Sequence, residues 1–127
     1  MTPASILVVD DDRELRETVH EVLEFEGFAV ATATNGAEAL EYLRSTAPSP
    51  RVILLDLSMP VMDGVTFREE QCKDPALAAI PVIVFSAAGS LIEKVRAMRV
   101  DAVLKKPLRL DQLLDAVGKF CQPTPSR

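Results

Sequence analysis

A chain of 127 residues, 48% hydrophobic and 26% charged, has the length and apolar content of one folded domain with its own core, and no room for a second full domain. Its formal net charge of -5 disfavours non-specific attraction to nucleic acid or to an anionic membrane and supplies no polycation for phosphates. The longest apolar runs are strand-sized, so neither a signal peptide nor a membrane span is expected.

The first element is "SILVV" (5–9), a continuous apolar run of the kind that forms a strand covered on both faces. Three carboxylates follow it, Asp10, Asp11 and Asp12. Side by side they raise one another's cost unless water, a cation or a positive helix end compensates, and their plainest reading is a turn that caps the next helix. That helix is marked by Leu15, Val19, Val22 and Leu23 at helical spacing and ends at Gly27. "FAVATA" (28–33) is a weaker strand, placed by its position in the alternation. "NG" at 35–36 opens a second helix, and Pro48 and Pro50 break the chain before a third strand, "VILLD" (52–56). A third helix is expected to start near Gly64, run through Phe67 toward Cys72 and stop before Pro75. "PVIVFS" (81–86) is the fourth strand and Leu91, Val95 and Met98 mark the helix after it. "DAVLK" (101–105) is a weaker fifth strand, and Leu110, Leu113, Leu114 and Val117 mark the last helix. The tail "QPTPSR" has no apolar pattern and is expected to fray. Cys72 and Cys121 lack any Cys-x-x-Cys or Cys/His spacing and read as reduced residues of a cytoplasmic protein. His20, the sole histidine, reads as a surface or partly buried helix residue.

Five strand and helix pairs predict a doubly wound α/β domain: a five-stranded parallel sheet in the flavodoxin-like order 2-1-3-4-5, with helices on both faces. Right-handed crossovers point all strands one way, so their carboxyl ends collect on one rim, with a crevice between the first and third strands. That rim gathers Asp10 and Asp11 from strand one, Asp56 from strand three, Ser86 from strand four, and Lys105 and Lys106 before Pro107 from strand five. Each alone reads as a cap, a turn acid or solvated charge. Together they supply three carboxylates, a hydroxyl and an ammonium. Hard oxygen ligands of this kind suit magnesium, which resolves the repulsion among the acids. A carboxylate beside that metal can attack phosphorus to give an aspartyl phosphate, with Lys106 and the Ser86 hydroxyl stabilising the phosphoryl oxygens. No residue reads as an activating general base.

This ordered set resembles the bacterial two-component response-regulator receiver domain, the CheY-like family, from about Ser5 to Phe120. The resemblance is carried by "ILVVDDD", by "LLDLSMPVMDG" with Asp56, Met59, Pro60, Asp63 and Gly64, by "PVIVFSA" with Ser86, and by "LKKP" with Lys106 and Pro107. It implies Asp56 as phosphoacceptor and Asp11 as a direct magnesium ligand. Asp10 would act mainly through coordinated water, and the Ser58 carbonyl would complete the protein's share of the metal. Ser86 and Lys106 would read the phosphoryl group, Pro60 and Gly64 would be structural, and the Lys106–Pro107 bond would be cis. It further implies a histidine kinase or histidine phosphotransfer protein as donor, a downstream protein as receiver of the signal, and room for a weak homodimer. Residues 1–4 then form an N-terminal extension, 5–120 the receiver domain and 121–127 a flexible tail.

The chain departs from the common family pattern in two respects. The stretch from Ser86 to Lys106 is about two residues shorter than usual, which predicts a clipped turn near "RVDAV". The aromatic residue often found three before the lysine, which swings inward with the hydroxyl residue, is here Val103, whose stiff side chain has fewer choices. Coupling would then rely on the loop at Ala87 to Ser90 or on repacking along the helix after it. Ser58 and Ala88, small residues at the positions that govern water access to the aspartyl phosphate, leave its lifetime open. Arg96, Arg99, Lys105 and Arg109 are candidates for partner contact, or ordinary solvated charge. The tail is too short for an output domain, so the chain is expected either to be a stand-alone receiver or to be one cut from a longer regulator or hybrid kinase, and no basic recognition helix points to DNA. Three other readings are weaker. A pseudo-receiver interaction module would not need the intact Asp11, Asp56 and Lys106. A flavin-binding domain would need a hydroxyl- and glycine-rich loop after the first strand, and an aspartyl hydrolase would need an acid or base.

Overall fold

The computed structural model describes residues 5–46, 48–57, 59–86, 95, 97–105 and 109–121, and of Ser86 the backbone alone. The elements run β1 (Ile6–Val9), α1 (Arg13–Phe25), β2 (Val30–Ala33), α2 (Gly36–Ser45), β3 (Val52–Asp56), α3 (Gly64–Lys73), α4 (Pro75–Ala78), β4 (Val82–Ser86), β5 (Ala102–Lys105) and α5 (Leu110–Gly118). Val95, Ala97 and Met98 are also helical. The strands form one sheet of order β2-β1-β3-β4-β5, every neighbouring pair parallel, as the alternation of elements predicts.

Alternate residues of each strand feed opposite layers, which is why the runs are apolar without a break. Leu7, Val9, Ile53, Leu55, Val82 and Val84 pack on one side with Leu40, Leu43, Phe67, Val95 and Met98. Ile6, Val8, Val52, Leu54, Ile83 and Phe85 pack on the other with Val19, Leu23, Leu113 and Val117. The edge strand β5 differs: its residues alternate between half-buried and exposed.

Helix starts follow their capping chemistry. Asp12, Asn35, Asp63 and Asp74 accept hydrogen bonds from the backbone N–H of Leu15, Glu38, Thr66 and Ala76. At the end of α1, Gly27 adopts φ 98°, and its N–H and that of Phe28 bond back to the carbonyls of Glu24 and Leu23. This places the start of β2 at Val30 rather than at Phe28. Phe28 is spent on closing the helix, with its ring buried beside Leu23.

α3 ends before Pro75 as expected, but Pro75 opens a further short helix, α4. Proline suits that first helical position, where no intrahelical N–H bond is needed. The inward face of α3 carries Gly64, Phe67, Arg68 and Gln71, a helical spacing in which two of four residues are polar. That composition explains why its apolar signal is weak. The chain turns over few residues before β5: Met98 is the last helical residue, Arg99 turns with φ 55°, and β5 begins at Ala102. Among the described residues, no helix is long and apolar enough to cross a membrane.

Candidate functional site

The carboxylates at the ends of β1 and β3 converge. Oxygens of Asp10, Asp11 and Asp56 all lie within 4.8 Å of one another. Asp10 is fully buried and Asp56 is 4% exposed, whereas Asp11 stands in solvent. β1 positions Asp10, whose N–H bonds the Ala33 carbonyl at 3.1 Å and so extends the β1–β2 ladder by one residue. The last position of β3, paired with Phe85 of β4, holds Asp56.

The acidic triplet divides its labour, so the plain capping interpretation holds for one residue of three. Asp12 caps α1, accepting the Leu15 N–H at 3.2 Å. The Asp12 N–H in turn donates to Asp10 Oδ1 at 2.9 Å, and Arg16 Nη1 donates to the Asp10 carbonyl at 2.9 Å, so the turn is braced from inside α1. Because an aspartate occupies the amide end of α1, this corner of the rim attracts cations rather than phosphate anions. A flavin or nucleotide phosphate seated after β1 would meet carboxylates.

The segment between β3 and α3 closes tightly behind Asp56. The Gly64 N–H donates to the Leu57 carbonyl at 3.0 Å, and Asp63 caps α3 through the Thr66 N–H at 2.8 Å. A Cβ on Gly64 would stand 2.6 Å from the Asp56 carbonyl and 2.9 Å from Leu57 Cα, so this position requires glycine for space. Pro60 accepts the Met62 N–H at 2.6 Å across Val61, which is held at φ 67°, a conformation costly for a β-branched side chain. Met62 then seats the loop on α2: its carbonyl accepts the Gly36 N–H at 3.0 Å, and its Cγ would lie 2.8 Å from a Cβ at Gly36.

Of the other expected site residues, Ser86 ends β4 and pairs with Lys105 of β5 on the same rim; its side chain, and Ser58, Ala88, Lys106 and Pro107, lie outside the described residues. Arg96 and the loop at 87–90 lie outside them too. Val103 is 50% exposed, on the side of β5 opposite Ala102 and Leu104, which pack on the core. Lys105 and Arg109 are exposed, and His20 is half-buried, 3.4 Å from Glu24 on α1. Cys72 is exposed and Cys121 buried, both as free thiols; burial pushes the Cys121 thiol up, against the opposing pull of Arg51.

The donor set fits a hard divalent cation. All three candidate donors are carboxylate oxygens, the hard anionic type such an ion takes, and they lie within 4.8 Å of one another. Sequence reading missed the Val61 turn, the Met62–Gly36 seat and the buried pair Arg68 and Gln71. Only Gly36, in "NG", offered a signal for any of them.

Comparison with known proteins agrees with this fold. The family profile described as the response regulator receiver domain matches residues 6–118. The response regulator MprA of Mycolicibacterium vanbaalenii is 37% identical over 116 residues, which cover 88% of this chain and 48% of that protein; the chain thus spans about half the length of the curated relatives it matches. Among solved structures, the receiver domain of a signal transduction histidine kinase from Syntrophus aciditrophicus superposes with a TM-score of 0.85 at 28% identity, covering 92% of this chain and 89% of that one. The phosphorylated cyanobacterial phytochrome response regulator RcpA superposes with a TM-score of 0.77 at 31% identity, covering 93% and 91%.

Proposed function

The chain belongs to the response regulator receiver domain family of two-component systems, and from that premise we propose that Asp56 is its phosphoacceptor, taking a phosphoryl group from the phosphohistidine of a histidine kinase or histidine phosphotransfer protein. The observation that carries the reading is the meeting of Asp10, Asp11 and Asp56 within 4.8 Å at the rim of a parallel sheet. Close carboxylates without packing need are tolerated where a cation is to be held.

In the proposed step a carboxylate oxygen of Asp56 attacks phosphorus, the phosphorus–nitrogen bond of the donor breaks, and the imidazole leaves with its electron pair and takes a proton. Asp56 attacks through a carboxylate oxygen, which has no hydroxyl proton to surrender, so the step calls for no general base. Asp10, Asp11, Asp56 and the Ser58 carbonyl would hold magnesium, Asp10 mainly through water. When bound, the metal supplies positive charge against the transferred group. Lys106 and the Ser86 hydroxyl would meet the remaining phosphoryl oxygens. The domain would extend over residues 5–120, work in the cytoplasm, and pass its state to a protein partner.

Incubation with acetyl phosphate and magnesium, followed by intact mass and borohydride trapping, tests this. Label on Asp56, abolished by Asp56→Asn, is the expected result. Label on Ser58 or Ser86, or undiminished labelling of the variant, overturns it. If neither acetyl phosphate nor a phosphohistidine donor labels the protein, the phosphorylation-independent interaction module replaces it.

A further inference from the structure

Arg68 and Gln71 lie on the inward face of α3 at 9% and 0% exposure, and the acid site uses neither. Arg68 Nε donates to the Met98 carbonyl at 3.0 Å, its Nη2 to the Arg99 carbonyl at 2.8 Å and its Nη1 to Gln71 Oε1 at 2.8 Å. Gln71 Nε2 donates onward to the carbonyls of Leu77 at 2.9 Å and Ile80 at 3.1 Å. Two side chains therefore join three places: α3, the turn that leads from α4 into β4, and the turn that leads into β5.

The reason lies in the shortness of the last turn. Met98 ends a helical segment whose final carbonyls need donors, and Arg99, at φ 55°, leaves only Val100 and Asp101 before β5. A side chain from the neighbouring helix supplies the donors instead. The carbonyl end of a helix also attracts a cation, and among the described residues no carboxylate pairs with this guanidinium. The bonded carbonyls precede β4 and β5, so the contact sits at the rim opposite the acids, while α3 begins against the Asp56 carbonyl.

We propose that Arg68 and Gln71 form a clamp that pins the C-terminal end of the helical segment at Met98 and Arg99, so that a change driven by phosphorylation stops short of these residues and leaves the entry to β5 fixed. Arg68 is thus a positioning residue. The regulatory half of the proposal rests on the phosphoacceptor reading.

Amide hydrogen exchange and amide spectra of the full chain, with and without beryllofluoride and magnesium, test the two halves separately. In the free protein, Arg68→Met and Arg68→Lys should raise exchange at Asp101 and through β5 by about tenfold or more, since donors from a charged group are lost and Lys cannot reach three acceptors. Gln71→Glu keeps the acceptor for Arg68 and should affect Ile80 and β4 instead. Labelling of Asp56 by acetyl phosphate should be unchanged in all three. On adding beryllofluoride, wild-type shifts should include Asp11 and Asp12 and spare 97–102, whereas in the Arg68 variants they should spread into 97–102. A purely structural arginine would raise exchange without redirecting those shifts. Unchanged exchange in Arg68→Lys, or wild-type shifts at 97–102 as large as the variants', overturns the clamp; Arg68→Lys decides the matter if Arg68→Met fails to fold. Silence at Asp11 and Asp12 in the wild type overturns the phosphoacceptor reading, and the exchange result still judges the clamp.

Discussion

Replacing Gly64 by alanine adds a single methyl group at the back of the acid site. That carbon would sit 2.6 Å from the Asp56 carbonyl oxygen and 2.9 Å from Leu57 Cα, both backbone atoms, so relief requires the chain beneath Asp56 to move. Overpacking of this kind costs about 1–3 kcal/mol, and the better helix propensity of alanine returns up to about 1 kcal/mol, so the net loss falls between about 0 and 3 kcal/mol, centred on about 1.5 kcal/mol. Displacement of the acceptor has a second effect: a misplacement of ~1 Å costs on the order of 100-fold in rate, and part of that shift should slow acetyl phosphate labelling by about tenfold. Gly118→Ala is the control, because nothing lies within 4 Å of its added carbon. It should be neutral or stabilising by up to about 1 kcal/mol, with labelling unchanged. Urea unfolding at constant m-value and the time course of Asp56 labelling measure both quantities. A Gly64→Ala protein with wild-type midpoint and wild-type labelling would refute the steric argument.

Asp11→Ala should weaken magnesium binding and phosphorylation together, and a magnesium titration followed by amide spectra showing unchanged binding would remove Asp11 from the ligand set. Val61→Gly relieves a β-branched residue at φ 67° and should raise stability by about 1 kcal/mol in urea, the relief of strain exceeding the added chain entropy. Iodoacetamide should modify exposed Cys72 first in the folded protein. Cys121, whose thiol is pushed up by burial, should lag and react more readily only as pH rises, an order that peptide mapping reads directly. Val103, already half-exposed on the outer side of β5, should keep its rotamer when free and beryllofluoride-bound crystal structures are compared, with the change at Ala87 to Ser90.

Fold and site were readable to different depths. The continuous runs in β1, β3 and β4 declare a sheet buried on both faces, and the caps at Asn35 and Gly27 declare helix ends, because both signals are local. Asp10, Asp11 and Asp56 were readable as a group since strand order alone carries them to one rim. Their separate roles were not. Which of three adjacent aspartates caps α1 depends on the direction the chain takes after β1, and that direction is set by Arg16 and the Asp10 carbonyl. Arg68 and Gln71 were unreadable for a stronger reason: a polar residue at a core spacing resembles a surface residue until the carbonyls that satisfy it, at Met98, Arg99, Leu77 and Ile80, are known to lie opposite. Val61 shows the same limit, since nothing in a valine announces a left-handed turn.

The order β2-β1-β3-β4-β5 leaves two strands with an open side, and each is only four residues long. At about 3.3 Å per residue, each edge offers a ledge of roughly 13 Å for another chain's backbone. Lys105 stands exposed on one of them, and a lysine on an edge must be desolvated before a foreign strand can settle beside it. The continuously apolar strands β1, β3 and β4, those most prone to intermolecular pairing, are kept in the middle of the sheet. The molecule can therefore leave the side of the sheet at β5 exposed at working concentrations without inviting the sheet to grow from one copy into the next.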